Sequence, residues 1–173
     1  LLHDPPLSII RRGEAFEALE ELVAAGKVRH FGASIHLVEE GEACLDSPGV
    51  RVIQMTYNLF SLLEPTLSPI PLFDTAARRG MGVIARQPLA AGFLSGRHDA
   101  ATVYEGSDLR GRWPARRRRM YLGLTDALRY LVGPDANLAQ AALRFVLDEP
   151  AIATTLVGMK TPAQARENFA AAE

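Results

Sequence analysis

The stretch VRHFGAS, residues 28–34, is a short run that predicts a buried β-strand. Apolar residues at helical spacing over residues 14–25 predict a helix before it, which Gly26 ends as a left-handed cap. A second predicted helix, about residues 37–45, leads to the next apolar run, residues 52–56. A strand, a helix and a strand in this order predict two parallel strands joined by a helical crossover.

The same alternation continues towards both ends of the chain. Further strands are predicted over residues 1–3, 82–86 and 153–157, and further helices over about 71–79, 116–131, 137–147 and 162–173. Residues 4–10, 64–69 and 87–112 are predicted as loops. Five strands alternating with helices predict an α/β fold with a parallel sheet, which fits a doubly wound sheet or part of a barrel. No G-x-G-x-x-G follows the first strand, and polar residues stand near several strand ends, so the barrel is favoured.

Composition limits the kinds of partner that we expect. The length of 173 residues fits one domain, and its net charge of −1 gives no general attraction to nucleic acid or to an anionic membrane. Cys44 is the single cysteine, so an internal disulfide and a cysteine-cluster metal site are excluded, and a reducing, cytoplasmic setting is expected. No apolar run approaches the roughly 20 residues that span a bilayer. No two histidines have metal-ligand spacing on one helix, so no metal site is expected.

His3 stands at the end of the first predicted strand, before Pro5 and Pro6. Parallel-barrel enzymes place catalytic groups at this end of their strands. An imidazole there can polarise or protonate a carbonyl, because it exchanges a proton near neutral pH. The alternative is a structural histidine whose ring nitrogens form hydrogen bonds with backbone groups. The position of His3 alone does not decide between the catalytic and the structural role. Because the chain begins inside this strand, we expect the later part of an enzyme, carrying one catalytic group without its partners.

The turn from Gly158 to Lys160 follows the last predicted strand. Thr161 can cap a helix whose first residue is Pro162. Free backbone amides at that helix start, with Lys160 beside them, predict an anion site.

Two polar clusters have simpler interpretations. Gln164, Glu167 and Asn168 share one face of the last helix, which a solvated polar face explains. Six arginines lie within residues 110–119, with Trp113 among them. Of three interpretations, a solvated helix start is favoured most and a nucleic-acid patch least, and a contact to a cofactor phosphate ranks between the two.

Taken in order, these segments resemble the C-terminal part of the aldo-keto reductase family. Each motif alone is weak, but the ordered set is specific and covers nearly the whole chain. The matching segments are residues 2–5, 26–34, 54 with 57–58, 79–85, 88–96, 141–147 and 158–168.

The resemblance implies an incomplete (β/α)8 TIM barrel, of which residues 1–173 form a single partial domain with the last five βα units. It also implies an oxidoreductase that uses NADPH, with NADH as the second possibility, to reduce a small carbonyl substrate, an aldehyde or a ketone. His3 is similar to the catalytic histidine, and Ser34 and Gln54 to the groups that hold the nicotinamide carboxamide. Arg86 takes the place where many members stack a tyrosine on the nicotinamide. Ile35 stands where many members have an asparagine.

The remaining cofactor positions lie further along the chain. By the same resemblance, Leu89 and Gly92 belong to the loop along the pyrophosphate, and residues 158–160, with Gly158 and Lys160, to the 2′-phosphate turn. Gln164 and Asn168 resemble the adenosine-binding face. Gln164 stands where many NADP-preferring members have arginine, so the choice between NADP and NAD stays open.

The family's proton donor, a tyrosine supported by a lysine and an aspartate, precedes the histidine strand, and no tyrosine here matches its motif. Three hypotheses follow: a reductase whose N-terminal part lies outside this sequence, a non-catalytic nucleotide-binding or interaction module, and a different barrel enzyme such as an aldolase. Five strands cannot close a barrel, so the strands at Leu1 and Leu156 are expected to present bare edges. We therefore expect missing N-terminal strands or self-association to cover these edges, and a chain that alone is aggregation-prone and inactive.

Overall fold

The structure, a computed structural model, describes residues 1–63, 68–133 and 137–172. Within these ranges five strands form one sheet in the order β1-β2-β3-β4-β5, and every neighbouring pair is parallel. The strands are β1 (Leu2–His3), β2 (Phe31–Ser34), β3 (Val50–Thr56), β4 (Gly82–Arg86) and β5 (Ile152–Leu156). The predicted parallel α/β sheet is therefore confirmed.

Helices connect consecutive strands. The α-helices of the described residues are α1 (Leu7–Arg12), α2 (Glu14–Ala24), α3 (Val38–Leu45), α4 (Ile70–Arg78), α5 (Ala115–Ala127), α6 (Leu138–Leu147) and α7 (Pro162–Phe169). Short 3-10 segments cover Leu59–Leu63, Ala90–Ser95, Leu109–Arg112, Arg129–Leu131 and Ala170–Ala172.

The structure corrects the sequence prediction after β1. A loop was predicted up to about residue 10, whereas α1 begins at Leu7, directly after Pro6. Proline at the start of a helix is tolerated because the first turn needs no amide donor from it. Ile10 on α1 is 1% exposed and anchors this helix in the core. The pair of prolines was therefore a helix-start signal, not a loop signal.

Other boundaries shift by a few residues. β2 begins at Phe31 rather than residue 28, and the predicted helix 116–131 is α5 followed by a 3-10 turn. The predicted loop over 64–69 falls mostly on residues 64–67, which lie outside the described residues. Gly26 has a φ of 69°, which confirms the left-handed cap after α2.

The core lies on one face of the sheet. Alternate strand residues, among them Ala33, Ile53 and Val83, are fully buried there and pack against Phe73 of α4 and Val146 of α6. Because side chains alternate along a strand, the intervening residues lie on the opposite face, which we call the open face. The open face carries His3, Ser34, Gln54 and Arg86, as the strand register shows.

Two glycines in helix interiors give a matched test of packing. A Cβ added to Gly41 of α3 would lie 2.3 Å from Cδ2 of Leu72 and 2.9 Å from Cδ1 of Ile35, both buried side chains. We expect Gly41→Ala to lower the free energy of unfolding by about 1 kcal/mol or more, since overpacking costs about 1–3 kcal/mol and outweighs the gain in helix propensity. Urea unfolding followed by circular dichroism measures this change.

Gly123 of α5 provides the control, because nothing lies within 4 Å of its added Cβ. Gly123→Ala should raise the free energy of unfolding by up to about 1 kcal/mol. Equal effects of the two substitutions would contradict the close packing of α3 on α4.

The edge at β5 generates a second prediction. Within the described residues β5 pairs with β4 alone, and Leu156 is 52% exposed beside Phe169, which is 68% exposed. We expect Leu156→Lys to reduce self-association, because a charge on an edge strand opposes pairing with a second chain. Light scattering during size-exclusion chromatography measures the effect. Val103→Lys, at a 75% exposed loop residue, is the control and should change nothing.

Candidate functional site

Four strands deliver polar side chains to the same end of the open face. In the register of the parallel sheet, His3 lies beside Ser34, Ser34 beside Gln54, and Thr56 beside Arg86. Partner residues of a parallel ladder point to the same face. The predicted catalytic histidine, His3, and the three side chains predicted at the nicotinamide, Ser34, Gln54 and Arg86, therefore lie on one face at the carboxyl ends of β1 to β4.

Ser34 and Gln54 form a hydrogen-bonded pair. The Ser34 hydroxyl donates to Oε1 of Gln54 at 3.0 Å, and Ser34 is 6% exposed. This contact orients the Gln54 amide so that its NH2 group faces away from Ser34. A carboxamide fits such a pair, since it offers one carbonyl acceptor and two N–H donors. Ile35 is fully buried in the core, so its side chain adds no contact to the open face.

Arg86 is held by groups that follow β2. Its Nη2 donates to the carbonyl oxygen of Ile35 at 3.0 Å and lies 2.8 Å from Nδ1 of His36. Nε2 of His36 lies 3.3 Å from Oδ1 of Asp4, the residue after His3. This Asp4–His36–Arg86 network joins the ends of β1, β2 and β4. No role for Asp4 or His36 is predictable from the sequence, because nothing in their spacing along the chain connects them.

Backbone strain marks the same strand ends. The non-glycine residues with positive φ among the described ranges are Asp4 (52°), Gln87 (55°), Ala90 (47°) and Ala91 (56°). Asp4 follows His3, and Gln87 follows Arg86. Such conformations cost about 1–3 kcal/mol each and are concentrated at functional sites. Glutamine and alanine carry no sequence signal for this conformation, so only the structure reveals it.

The loop after β4 is closed by an arginine. Gly92 has a φ of 92°, and Nη1 of Arg110 lies 2.9 Å from the position of an added Cβ. Arg110 also donates to the carbonyl oxygen of Ala91 at 3.0 Å and pairs with Asp108 at 2.6 Å. Hydrogen bonds from Arg110 hold the pKa of Asp108 well below its usual range. Leu89 packs in a separate apolar cluster beneath the same loop.

The start of α7 has the predicted cap. Oγ1 of Thr161 accepts from the backbone N–H of Gln164 at 3.2 Å, and Oε1 of Gln164 accepts from the backbone N–H of Lys160 at 2.6 Å. Gly158 and the Lys160 side chain are exposed. One amide of the predicted anion site is therefore engaged by Gln164. An anion bound here must use the remaining amides and the Lys160 ammonium, or displace Gln164.

The polar face of α7 is not solvated, contrary to the simpler interpretation of the sequence. Asn168 is 8% exposed. Oε1 of Glu167 accepts from Nδ2 of Asn137 at 2.5 Å, and its other oxygen pairs with Arg97 of the loop after β4. The face is turned inward because Glu167 joins α7 to the start of α6 and to that loop. Glu167 thereby connects the helix that carries the predicted adenosine contacts, Gln164 and Asn168, to Arg97 in the loop after β4.

Several reactive groups lie outside this site. Tyr57 is buried against Phe73 and Phe145, and burial, followed by the charge of Glu149, raises its pKa to about 12. Burial, followed by the charge of Glu40, likewise raises the pKa of Cys44 to about 11, so its thiol stays protonated at neutral pH. Neither group is suited to proton exchange at neutral pH. The other tyrosines are Tyr104, Tyr121 and Tyr130, all in or after the loop that follows β4.

The exposed arginines fit the solvated-helix interpretation. Arg116, Arg117 and Arg119 of α5 are exposed, and the guanidinium carbon of Arg117 lies 3.9 Å from the ring centre of Trp113. Across residues 1–63, 68–133 and 137–172, no group of three or more His, Cys, Asp or Glu side chains is arranged to hold a metal ion. In the same ranges no helix combines the length and the apolar character that crossing a membrane requires.

Comparison with known proteins places this arrangement in a family. The model of the aldo/keto reductase family matches residues 1–173. The chain is 27% identical over 170 residues to an L-glyceraldehyde 3-phosphate reductase of Escherichia coli (strain K12), covering 91% of this chain and 48% of that protein. It is 26% identical over 166 residues to a pyridoxal 4-dehydrogenase of Microbacterium luteolum, covering 96% and 46%. The chain thus spans about half the length of the curated relatives it matches.

Solved structures show the same relation. A glycerol dehydrogenase from Gluconobacter oxydans matches with a TM-score of 0.72 at 25% identity, over 96% of this chain and 51% of that one. The holo form of an aldo-keto reductase from Bacillus halodurans matches with a TM-score of 0.73 at 23% identity, over 99% and 52%, which shows the fold alone. The five-stranded sheet therefore corresponds to about half of a (β/α)8 barrel, as the sequence predicted. The chain belongs to the aldo/keto reductase family, a family of oxidoreductases.

Proposed function

We propose that this chain is the cofactor-binding part of an NADP(H)-dependent reductase that converts aldehydes or ketones to alcohols by hydride transfer. The observation that carries the proposal is the juxtaposition of His3, Ser34, Gln54 and Arg86 on the open face, at the carboxyl ends of four neighbouring strands. Barrel enzymes assemble their active sites from this end of the strands.

The residues present fit a nicotinamide nucleotide. Ser34 and Gln54 bind the carboxamide: the Ser34 hydroxyl donates to Oε1 of Gln54, which leaves the Gln54 NH2 group to donate to the carboxamide oxygen and the Ser34 oxygen to accept from the carboxamide NH2 group. The planar guanidinium of Arg86 stacks on the nicotinamide ring. Held there, the cofactor would supply the hydride that reduces the carbonyl carbon. His3 donates a hydrogen bond to the carbonyl oxygen and thereby stabilises the negative charge that develops there.

The phosphate end of the site lies in the loops after β4 and β5. Leu89 and Gly92 follow the pyrophosphate, and Arg110, paired with Asp108, closes the loop beside Gly92. Gly158 adds no side chain at the start of the turn, and Lys160 binds the 2′-phosphate with its ammonium group. Gln164 and Asn168 contact the adenosine. The 2′-phosphate contact favours NADPH over NADH.

We further propose that the chain alone binds the nucleotide without turning over a carbonyl. The family's proton-donating tyrosine has no match in this sequence, and the described Tyr57 is buried with a raised pKa. Completing strands, or a second copy of the chain, then cover the edges at β1 and β5. The single buried cysteine suits a reducing compartment such as the cytoplasm.

Binding of NADPH and NADH tests the cofactor assignment. We expect Lys160→Met to raise the dissociation constant of NADPH about tenfold and that of NADH less than twofold, because only NADPH carries the 2′-phosphate that pairs with the ammonium. Titration of the nucleotide fluorescence measures both dissociation constants. Lys27→Met, at an exposed lysine remote in sequence from the site, is the control and should change neither. An equal rise in both dissociation constants would show that Lys160 does not contact the 2′-phosphate.

The coding sequence upstream of Leu1 tests the enzyme hypothesis. We expect a strand ending in aspartate, a tyrosine a few residues later and a lysine after the next strand, because hydride transfer needs a proton donor opposite His3. A stop codon in frame directly upstream, together with NADPH binding, would instead support the non-catalytic module. NADPH-dependent carbonyl reduction by the chain alone would contradict the need for these residues.

A further inference from the structure

An arginine and a histidine hold the loop after β4 at Gly92. Nη1 of Arg110 donates to the carbonyl oxygen of Ala91 at 3.0 Å and lies 2.7 Å from Nε2 of His98. A Cβ added to Gly92 would lie 2.9 Å from Nη1 of Arg110 and 3.4 Å from Nε2 of His98. Ala91 and Gly92 have φ angles of 56° and 92°, so these contacts hold a turn whose backbone an alanine rarely adopts.

Asp108 fixes the direction in which Arg110 donates. Its carboxylate accepts from Nε of Arg110 at 3.0 Å and from Nη2 at 2.6 Å, which makes a bidentate pair. The two hydrogens of Nη1 are then directed at Ala91 and His98. Because a guanidinium has no acceptor, Nε2 of His98 accepts this hydrogen bond and the ring proton lies on Nδ1. The contact with Arg110 therefore requires a neutral imidazole.

The ring of His98 is partly buried among aromatic side chains. Its centre lies 5.4 Å from that of Phe93 and 5.5 Å from that of Tyr104. Tyr104 is uncharged at neutral pH, since burial raises its pKa. Within the described residues Nδ1 of His98 is buried without a hydrogen-bond partner, and no carboxylate forms a salt bridge with the ring. A charged ring would lose water here without gaining a counter-ion, so its surroundings disfavour protonation.

The nearby charges act on His98 with opposite signs. Those that act on the ring all belong to the loop after β4: Arg110, Asp99 and Asp108. Burial, followed by the cation, lowers the pKa of His98, and the two carboxylates raise it by less. Arg118 of α5 acts on Tyr104 beside the ring, and Lys160 before α7 acts on one of the carboxylates. The balance keeps His98 neutral at neutral pH.

We propose that His98 is a positioning residue for the cofactor: as a neutral acceptor it holds Arg110 against Ala91, and its protonation releases the turn that carries Gly92. The proposal rests on the proposed cofactor binding, which assigns Leu89 and Gly92 to the pyrophosphate. A proton on Nε2 removes the acceptor and places a second cation 2.7 Å from the guanidinium. The pyrophosphate then loses a preformed turn, so the nucleotide binds less tightly.

The sign of the pH dependence follows from proton counting. The closed loop holds His98 neutral and binds fewer protons than the open loop. Nucleotide affinity is therefore full above the ordinary imidazole pKa of about 6.5 and falls as the pH drops below it.

Two substitutions separate the acceptor from the ring. His98→Gln keeps a neutral acceptor near the position of Nε2 but takes up no proton, whereas His98→Phe fills the space without an acceptor. Calorimetry with NADP⁺ at pH 7.5 and 5.5 measures the dissociation constants. At pH 7.5 His98→Gln should bind within about twofold of the unmodified chain, and His98→Phe about tenfold more weakly, since a hydrogen bond with a charged group is lost.

At pH 5.5 the unmodified chain should bind NADP⁺ about fivefold more weakly than His98→Gln does at the same pH. Taking this ratio at one pH cancels the titration of the 2′-phosphate and of the other three histidines, which both forms share.

Trp113 provides a second measurement that needs no nucleotide. It is the single tryptophan of the chain, and its ring stacks on Phe93, which packs against His98. In the nucleotide-free unmodified chain, its fluorescence should change between pH 8 and 5 with a midpoint below about 6.5, and it should stay constant in His98→Gln. His30→Gln, at an exposed histidine before β2, is the control and should follow the unmodified chain.

Three results would overturn the proposal: no fluorescence step in the unmodified chain, an equal step in His98→Gln, or equal NADP⁺ affinity of His98→Phe and the unmodified chain at pH 7.5. If no form of the chain binds NADP⁺, the proposed cofactor function fails. The fluorescence of Trp113 then still decides whether His98 controls the loop.

Discussion

The pairing of β2 with β3 is the contact on which the rest of this structure depends. A Cβ on Gly32 would lie 1.7 Å from the carbonyl oxygen of Val52, so this close approach requires glycine. The register shifts between Phe31 and Gly32, and the shift brings Ser34 beside Gln54. The ladder then continues beyond the strands, where the amide of Ile35 donates to the carbonyl oxygen of Gln54 at 2.9 Å. A different register would turn Ser34 towards the helices, because neighbouring residues of a strand face opposite sides.

The two faces of the sheet have different roles: the helix-covered face stabilises the fold, and the open face carries the polar side chains of the candidate site. The helix-covered face holds aliphatic and aromatic side chains that are nearly or fully buried, and its burial offsets the strain stored at the strand ends. The open face carries a polar row whose members contact one another: Ser34 with Gln54, and Arg86 with His36. The core beneath anchors the strand ends, and these contacts then fix the relative positions of the side chains at the site.

The charge distribution at the site follows the same arrangement. Arg86 contacts a backbone carbonyl and the ring of His36, whereas Arg110 is paired with Asp108 and Arg97 with Glu167. The two paired arginines close the loop after β4 against its neighbours. Arg86 instead contacts the residues that follow β2, Ile35 and His36. This difference distinguishes arginines that stabilise loops from an arginine that lies on the open face.

Hydrophobic periodicity and helix caps are local properties of the chain, and they suffice to predict the order of strands and helices, the parallel sheet and the strand ends that carry His3, Ser34, Gln54 and Arg86. Three features depend instead on contacts made in the folded chain: residues 7–12 form a helix, α7 turns Glu167 and Asn168 inward, and His36 lies between Asp4 and Arg86. These last contacts join residues that are up to 50 positions apart, and their partners are chosen by the register of the sheet. No pattern of spacing along the chain encodes such a pairing, so the fold was predictable from the sequence and the network at the site was not.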